Sequence, residues 1–181
     1  MRMIAAGARL VLSLLCLLSV AAAGCRHSWR TVAPPGEGFS VSMPGEPTKI
    51  TENAETVIGP VEFRVWFVSF TERSFGLMLG DYLVQSAEMP KTADWEAVVA
   101  DAEAMLFTGA SPGSSVKRRE VTQGACRGRE IEAEVAEGMF VKARTYYCGG
   151  RLFQVMTTGP EAIVHSLDRG ERFLDSFSLT F

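Results

Sequence analysis

Histidine is almost missing from this chain: 181 residues contain only His27 and His165. A histidine triad or a histidine-rich metal cluster has little to be built from. No phosphate loop ending in Gly-Lys-Ser/Thr and no His-Glu-x-x-His motif occurs. No apolar run reaches the ~20 residues of a spanning helix. Neither sign of charge dominates, with 18 basic against 21 acidic residues and a net charge of −3, so no strongly basic surface advertises nucleic acid. Hydrophobic residues make up 47% and charged residues 22%, ordinary values for a globular domain. That composition excludes a disordered, collagen-like or multi-span membrane protein. No cofactor or metal site is expected.

Acids are missing from the first 36 residues, where Arg2 and Arg9 supply positive charge. Leu10 to Ala23 is an apolar stretch interrupted only by Ser13 and Ser19, and small residues close it. A basic start, a short apolar core and a small-residue end are the parts of an export signal covering residues 1–24. Its last residues, Ala22-Ala23-Gly24-Cys25, resemble the lipobox of bacterial lipoproteins. The match holds at Ala23, Gly24 and Cys25, and departs at Ala22, where leucine is commoner.

The resemblance implies that Cys25 is lipidated, becomes the mature N-terminus and holds the chain to the bilayer. A diacylglyceryl cysteine with a further acyl chain anchors firmly, because two or more chains are needed for stable attachment. It also implies a periplasm-facing envelope location. Arg26 stands where inner-membrane retention favours Asp, which favours the outer membrane. The alternative is ordinary cleavage after Ala21-Ala22-Ala23, with Cys25 left as a thiol. Residues 26–38, with Pro34-Pro35 and Gly36-Glu37-Gly38, carry no hydrophobic periodicity and are expected to be a flexible tether. A single domain is then expected over 39–181.

Cysteine is scarce as well. With Cys16 in the leader and Cys25 lipidated, Cys126 and Cys148 remain, and an oxidising compartment favours their disulfide. Their neighbourhood offers a geometric argument. Ile131, Ala133 and Val135 alternate with Glu130, Glu132 and Glu134, the period of a strand with one wet face. Met139 to Tyr147 reads as its partner across a three-residue turn at Ala136-Glu137-Gly138. In that register Glu132 faces Lys142, Glu130 faces Arg144, and Cys126 faces Cys148. Opposed Cβ atoms lie ~4.5–5.5 Å apart, within reach of a bridge after slight adjustment.

The rest of the chain alternates in the same way. Strands are expected at 38–44, 49–57, 61–71, 76–85, 115–123 and 151–158, with a short one at 176–181. The period changes at 92–107, where Trp95, Val98, Val99, Ala102, Met105 and Leu106 form a helical stripe and Thr92 is the expected N-cap. A second helix is expected from Pro160, with Ile163, Leu167, Gly170 and Leu174 on one face. The expected fold class is α+β: an antiparallel sheet of six to eight strands packed with two main helices.

Phe39-Ser-Val-Ser-Met-Pro-Gly-Glu-Pro47, Gly128-Arg-Glu130 and Phe173-Leu-Asp-Ser-Phe177 resemble the PsbP-like superfamily, which takes in DcrB-like bacterial lipoproteins. The resemblance spans residues 38–181 and implies a sheet sandwiched by helices. Its motifs are packing and turn residues, so it carries no catalytic residue across.

Four features are candidates for function. Trp66, Phe70, Phe75 and Tyr82 form an aromatic stretch that is either core or an exposed binding patch. Lys117, Arg118, Arg119, Arg127 and Arg129 are a basic cluster, either a headgroup or acidic-partner site or a solvated strand face. Glu130, Glu132 and Glu134 share one strand face and suit either a cation or cross-strand pairing. His165 would have to serve any envelope hydrolase, using nearby carboxylates, which is the rival to a non-catalytic module that binds an envelope protein or small ligand.

The disulfide has a direct measurement. In the mass of the oxidised protein, neither Cys126 nor Cys148 takes up an alkylating reagent until a reductant is added. Two free thiols would remove both the bridge and the register argument.

Overall fold

The computed structural model describes residues 28–56, 58–72, 77–90, 92–107 and 115–180. The leader, Cys25 and Phe75 lie outside them. Seven long strands form one antiparallel sheet: β3 (Thr48–Thr56), β4 (Gly59–Glu72), β5 (Leu77–Glu88), β6 (Lys117–Gln123), β7 (Cys126–Ala136), β8 (Met139–Cys148) and β9 (Arg151–Pro160). Their spatial order is β3-β4-β5-β9-β8-β7-β6. A small sheet of β1 (Trp29–Val32), β2 (Phe39–Pro44) and β10 (Ser178–Leu179) has β2 at its centre. Helix α1 (Trp95–Leu106) and the shorter α2 (Glu161–Val164) and α3 (Gly170–Ser176) complete the described part. This is the α+β class expected from the sequence.

The large sheet is covered on both faces. Trp66, Val68, Tyr82, Val84, Phe153 and Val155 pack with Phe39, Val41 and Met43 of β2 and Phe173 and Leu174 of α3. The alternate residues Val61, Phe63, Val65, Ala87 and Leu152 pack with Val98 and Ala102 of α1. A strand buried on both sides reads as a continuous apolar run, and 65–68 reads that way, with Val65 and Trp66 buried on opposite faces. Beneath α1, directly opposed Gln85, Gln154 and Thr145 satisfy one another: Gln85 Nε2 donates to Gln154 Oε1 at 2.7 Å, and Gln154 Nε2 donates to Thr145 Oγ1 at 3.0 Å.

The hairpin register is the expected one over its length: Glu130 faces Arg144 and Glu132 faces Lys142. Its turn is different. β7 continues to Ala136, which pairs with Met139, so Glu137 and Gly138 make the turn and an irregularity between Glu134 and Ala136 restores the register. The Cys126–Cys148 disulfide is present, with Cα atoms 5.2 Å apart. Gly149 and Gly150 both take positive φ, at 61° and 84°, the geometry that a two-residue connection between right-twisted strands requires.

Three further expectations are corrected. Residues 26–38 are not wholly tether, because Trp29–Val32 pairs antiparallel with Val41–Pro44. The cap of α1 is Asp94, not Thr92; its carboxylate accepts from the Ala97 amide at 3.0 Å. Asp94 sits one residue before the apolar stripe begins at Trp95, where its oxygen reaches the third helical N–H.

The C-terminal helix is two helices, broken over residues 165–169. The Ser166 hydroxyl donates to Asp168 there, drawing the chain into a turn, and Leu167 points outward at 85% exposure. Gly170 lets the two pieces meet, since a Cβ there would sit 2.1 Å from the Val164 carbonyl oxygen. Gly170→Ala therefore overpacks a backbone contact that cannot yield. We expect a loss of about 2–3 kcal/mol in chemical denaturation; a neutral result would show that the two helices can separate freely.

Candidate functional site

Strand alternation puts six charged residues on one face at the β6-β7-β8 end of the sheet. Lys117, Glu132 and Lys142 lie across three adjacent strands in one row, and Arg119, Glu130 and Arg144 in the next. Each glutamate thus has a cation on either side. Arg119 binds Glu130 with two hydrogen bonds, at 2.8 and 2.9 Å, and Arg144 Nε donates to the same carboxylate at 2.7 Å. Lys117 donates to Glu132 at 2.7 Å.

Helix α3 covers the rows with two more acids one turn apart. Glu171 accepts from Lys142 at 2.6 Å, and Asp175 Oδ1 lies 2.8 Å from Arg144. His165 Nε2 lies 3.3 Å from Glu132. Four basic groups and four carboxylates converge, so the cluster is neutral when His165 is.

Glu130 is the centre of this cluster, with a side chain only 8% exposed. Burial by itself would raise its pKa, but hydrogen bonds from Arg119 and Arg144 and the charge of Lys142 outweigh it and hold the carboxyl down at about 2. Glu132 is also held below the usual range, chiefly by its hydrogen bond from Lys117. A general acid near neutral pH needs a raised carboxyl pKa, and these two are lowered. The adjoining hollow, about 210 Å³, is lined by Lys117, Arg118, Arg119, Glu130 and Glu132, all already paired, Arg118 with Glu103 and the rest with one another.

A second carboxylate is buried at the opposite end of the same face. Glu37, in the loop between β1 and β2, lies 3.3 Å from Arg64 Nε and 3.5 Å from Arg151, and accepts from the Ser86 hydroxyl at 3.3 Å. Lys49 stands 3.9 Å away. Sequence reading missed this pin because the loop was assigned to the tether; the available signal was a lone acid between two glycines amid otherwise uncharged residues.

The candidates named from sequence separate. Trp66 and Tyr82 are 4% and 3% exposed and belong to the core, with Phe70 packed against them, so the aromatic stretch is not a surface patch over its described residues. Both faces of the sheet are covered, and that turns an apparent excess of apolar area into core. The basic cluster is divided by alternation. Lys117 and Arg119 join the Glu130 face, whereas Arg118 and Arg129 cross to Glu103 and Glu96 of α1, each at 2.7 Å. Arg127 lies over the Trp95 ring at 4.3 Å.

The three glutamates do not act as a set. Glu134 is exposed and accepts from the Gly138 amide in the hairpin turn. Among the described residues, no group of three His, Cys, Asp or Glu could hold a metal ion. Gly109-Ala110-Ser111-Pro112-Gly113 matches Gly-x-Ser-x-Gly letter for letter. Pro112 has no backbone N–H for the oxyanion, which the residue after the serine supplies in that elbow. The segment lies outside the described residues.

No protein-family model matches the chain, and no curated protein matches it. Among solved structures, the solution structure of cyanobacterial PsbP (CyanoP) from Synechocystis sp. PCC 6803 superposes with a TM-score of 0.53. The match covers 84% of this chain and 93% of that one at 10% identity. At that identity the likeness establishes the fold, and the chain has a PsbP-like α+β fold.

Glu130→Gln keeps the shape of this side chain and removes its charge, leaving Arg119 without its carboxylate and Arg144 with only Asp175 and Glu171. Breaking a buried pair costs ~3–5 kcal/mol, and the lower end applies because the exposed Arg119 can turn to water. The pH dependence follows from the lowered pKa. The stabilisation is complete above the ordinary glutamate value of 4.5 and is lost as pH falls through about 2. In acid titrations followed by circular dichroism, the parent should lose stability across that window more steeply than Glu130→Gln. Equal slopes would remove Glu130 from its central role.

Proposed function

We propose that this chain is a lipid-anchored bacterial envelope protein. In this reading a PsbP-like domain, akin to those of DcrB-like lipoproteins, acts as a non-catalytic binding or accessory module facing the periplasm. The observation that carries the reading is the end of the leader, Ala22-Ala23-Gly24-Cys25, behind a basic, apolar export signal. The disulfide supports it, because Cys126 and Cys148 would persist as a bridge in an oxidising compartment. No helix among the described residues is long and apolar enough to cross a membrane, so in this reading attachment falls to Cys25.

The charge arrangement favours a binding module over a hydrolase. His165 is near a carboxylate, as the hydrolase reading requires, but its Nε2 is buried and faces Glu132, which is already held by Lys117. A general base has to reach the proton it abstracts from substrate. Arg26 after the cysteine favours the outer membrane over the inner.

The test is the intact mass of protein recovered from its native membrane. We expect residues 25–181 carrying diacylglyceryl and acyl groups, and release into the soluble fraction when Cys25→Ser replaces the lipidated residue. A soluble, unmodified mass would sink the lipoprotein reading.

A further inference from the structure

The fold begins too close to Cys25 for a tether. Strand β1 starts at Trp29, and only Arg26, His27 and Ser28 separate it from the cysteine. Four residues reach at most about 14 Å when fully extended. A domain of this size has a radius of gyration of about 15 Å. A chain held at Cys25 therefore cannot stand clear of the surface or tumble freely above it, and the face around Trp29 is the one turned to the bilayer.

That face has a distinct composition. The Trp29 ring is half-buried between Tyr82, with ring centroids 6.1 Å apart, and the Arg172 guanidinium 4.3 Å away. The turn after α2 carries Leu167, the large apolar side chain most exposed among the described residues, beside Asp168 and the exposed Arg169. Tyr82, edge-on to Trp29, also meets Phe173 with ring centroids 5.4 Å apart, and this turn leads directly into the helix that carries Phe173 and Arg172. Arg30 follows Trp29 and pairs with Glu46. With Arg26 in the link, four arginines stand against Glu46 and Asp168. The chain without its leader is net negative, at −5 once Arg2 and Arg9 are removed, so local positive charge at the anchor runs against the overall balance. Tryptophan and arginine side by side suit the level of lipid headgroups.

Building on the lipid-anchor reading, we propose that Trp29, Arg30, Leu167, Arg169 and Arg172 form a membrane-contact face. It seats the domain on anionic phospholipid headgroups of the bilayer that holds Cys25, in one fixed orientation. The sheet then stands over the surface, and whatever the domain binds approaches from the side away from this face. Arg169 and Arg172 attract the phosphates, Trp29 lies at headgroup depth, and Leu167 enters the boundary.

The experiment uses the full lipidated chain in vesicles of phosphatidylcholine and phosphatidylglycerol whose acyl chains are brominated near the headgroup end, with tryptophan fluorescence as readout. We expect quenching in the parent and in Trp95→Phe, and loss of most of it in Trp29→Phe. Leu167→Asp combined with Arg169→Glu changes two exposed side chains and should weaken quenching with unchanged circular dichroism. A chain whose lipid is verified by mass, yet whose Trp29 is unquenched, overturns this face and leaves the anchor intact. A chain without lipid on residue 25 overturns the anchor and this inference together.

Discussion

Covering both faces of one antiparallel sheet is the constraint from which most of this molecule follows. α1 lies on one side, and β2 with α3 on the other, so the central strands have no wet face on which to put polar residues. Val65 and Trp66, or Leu152 and Phe153, are consecutive and both buried. Burying a large apolar side chain is worth ~1.5–3 kcal/mol, and doing so on both sides of β4, β5 and β9 concentrates apolar area in the middle of the sheet. Where polarity enters that interior, it enters as satisfied rows such as Gln85-Gln154-Thr145, since an unpaired buried amide would offset a good part of the gain from neighbouring apolar groups.

Away from the middle, the same face is completed by ions. At the β6-β7-β8 end the covering layer thins to α3, and the space between helix and sheet is filled by Glu130, Lys142, Arg144 and Glu171. At the other end Glu37 holds the β1–β2 loop against Arg64 and Arg151. Desolvating a charge is costly, so such clusters are retained only where every member has a partner. The Glu130 cluster meets that condition with four charges of each sign, and the pairing lowers its carboxyl pKa. Its hydrogen bonds join the consecutive strands β6, β7 and β8 to α3, which is remote from them in sequence. It fixes how the C-terminal helix sits on the sheet, a role that hydrophobic packing alone would specify less sharply.

Much of this was legible in the chain, and the parts that were share a cause. The hairpin register came from charge complementarity at fixed offsets, which depends on strand period alone, and it delivered Glu130–Arg144, Glu132–Lys142 and the disulfide together. The stripe of α1 was equally local. Whether an apolar strand face is covered depends on residues far away in sequence. The sequence therefore left Trp66 and Tyr82 open between core and patch, and β2 and α3 packed over them make them core. Lys117 and Arg119 face Glu132 and Glu130 across the two-residue turn at Gly124-Ala125, a register as local as the first, and treating the basic residues as one cluster hid it. The break after Val164 escaped notice because Ile163, Leu167, Gly170 and Leu174 keep helical spacing across it. Gly170, read as a member of the stripe, is the residue that lets the chain fold back there. Glu37 and β1 were lost to a composition that reads as linker, since Pro34-Pro35 and the glycines hide a buried carboxylate.

If Cys25 is the proposed lipid anchor, the absence of a long tether changes what kind of module this can be. A domain on a flexible leash searches a volume and can meet partners in any orientation, and its encounters are governed by effective concentration. A domain whose first strand begins four residues after its anchor presents one side outward and one side to the surface. Glu37 reinforces that geometry, because it pins the loop after β1 to Arg64 and Arg151, and peeling β1 away to lengthen the link would expose a carboxylate and two arginines whose partners lie in the fold. Under the proposed anchoring, the reach of the domain above the bilayer is set by the sheet itself. Under the same proposal, recognition would fall to the α1 side and the sheet edges β3 and β6, the surfaces turned away from the bilayer.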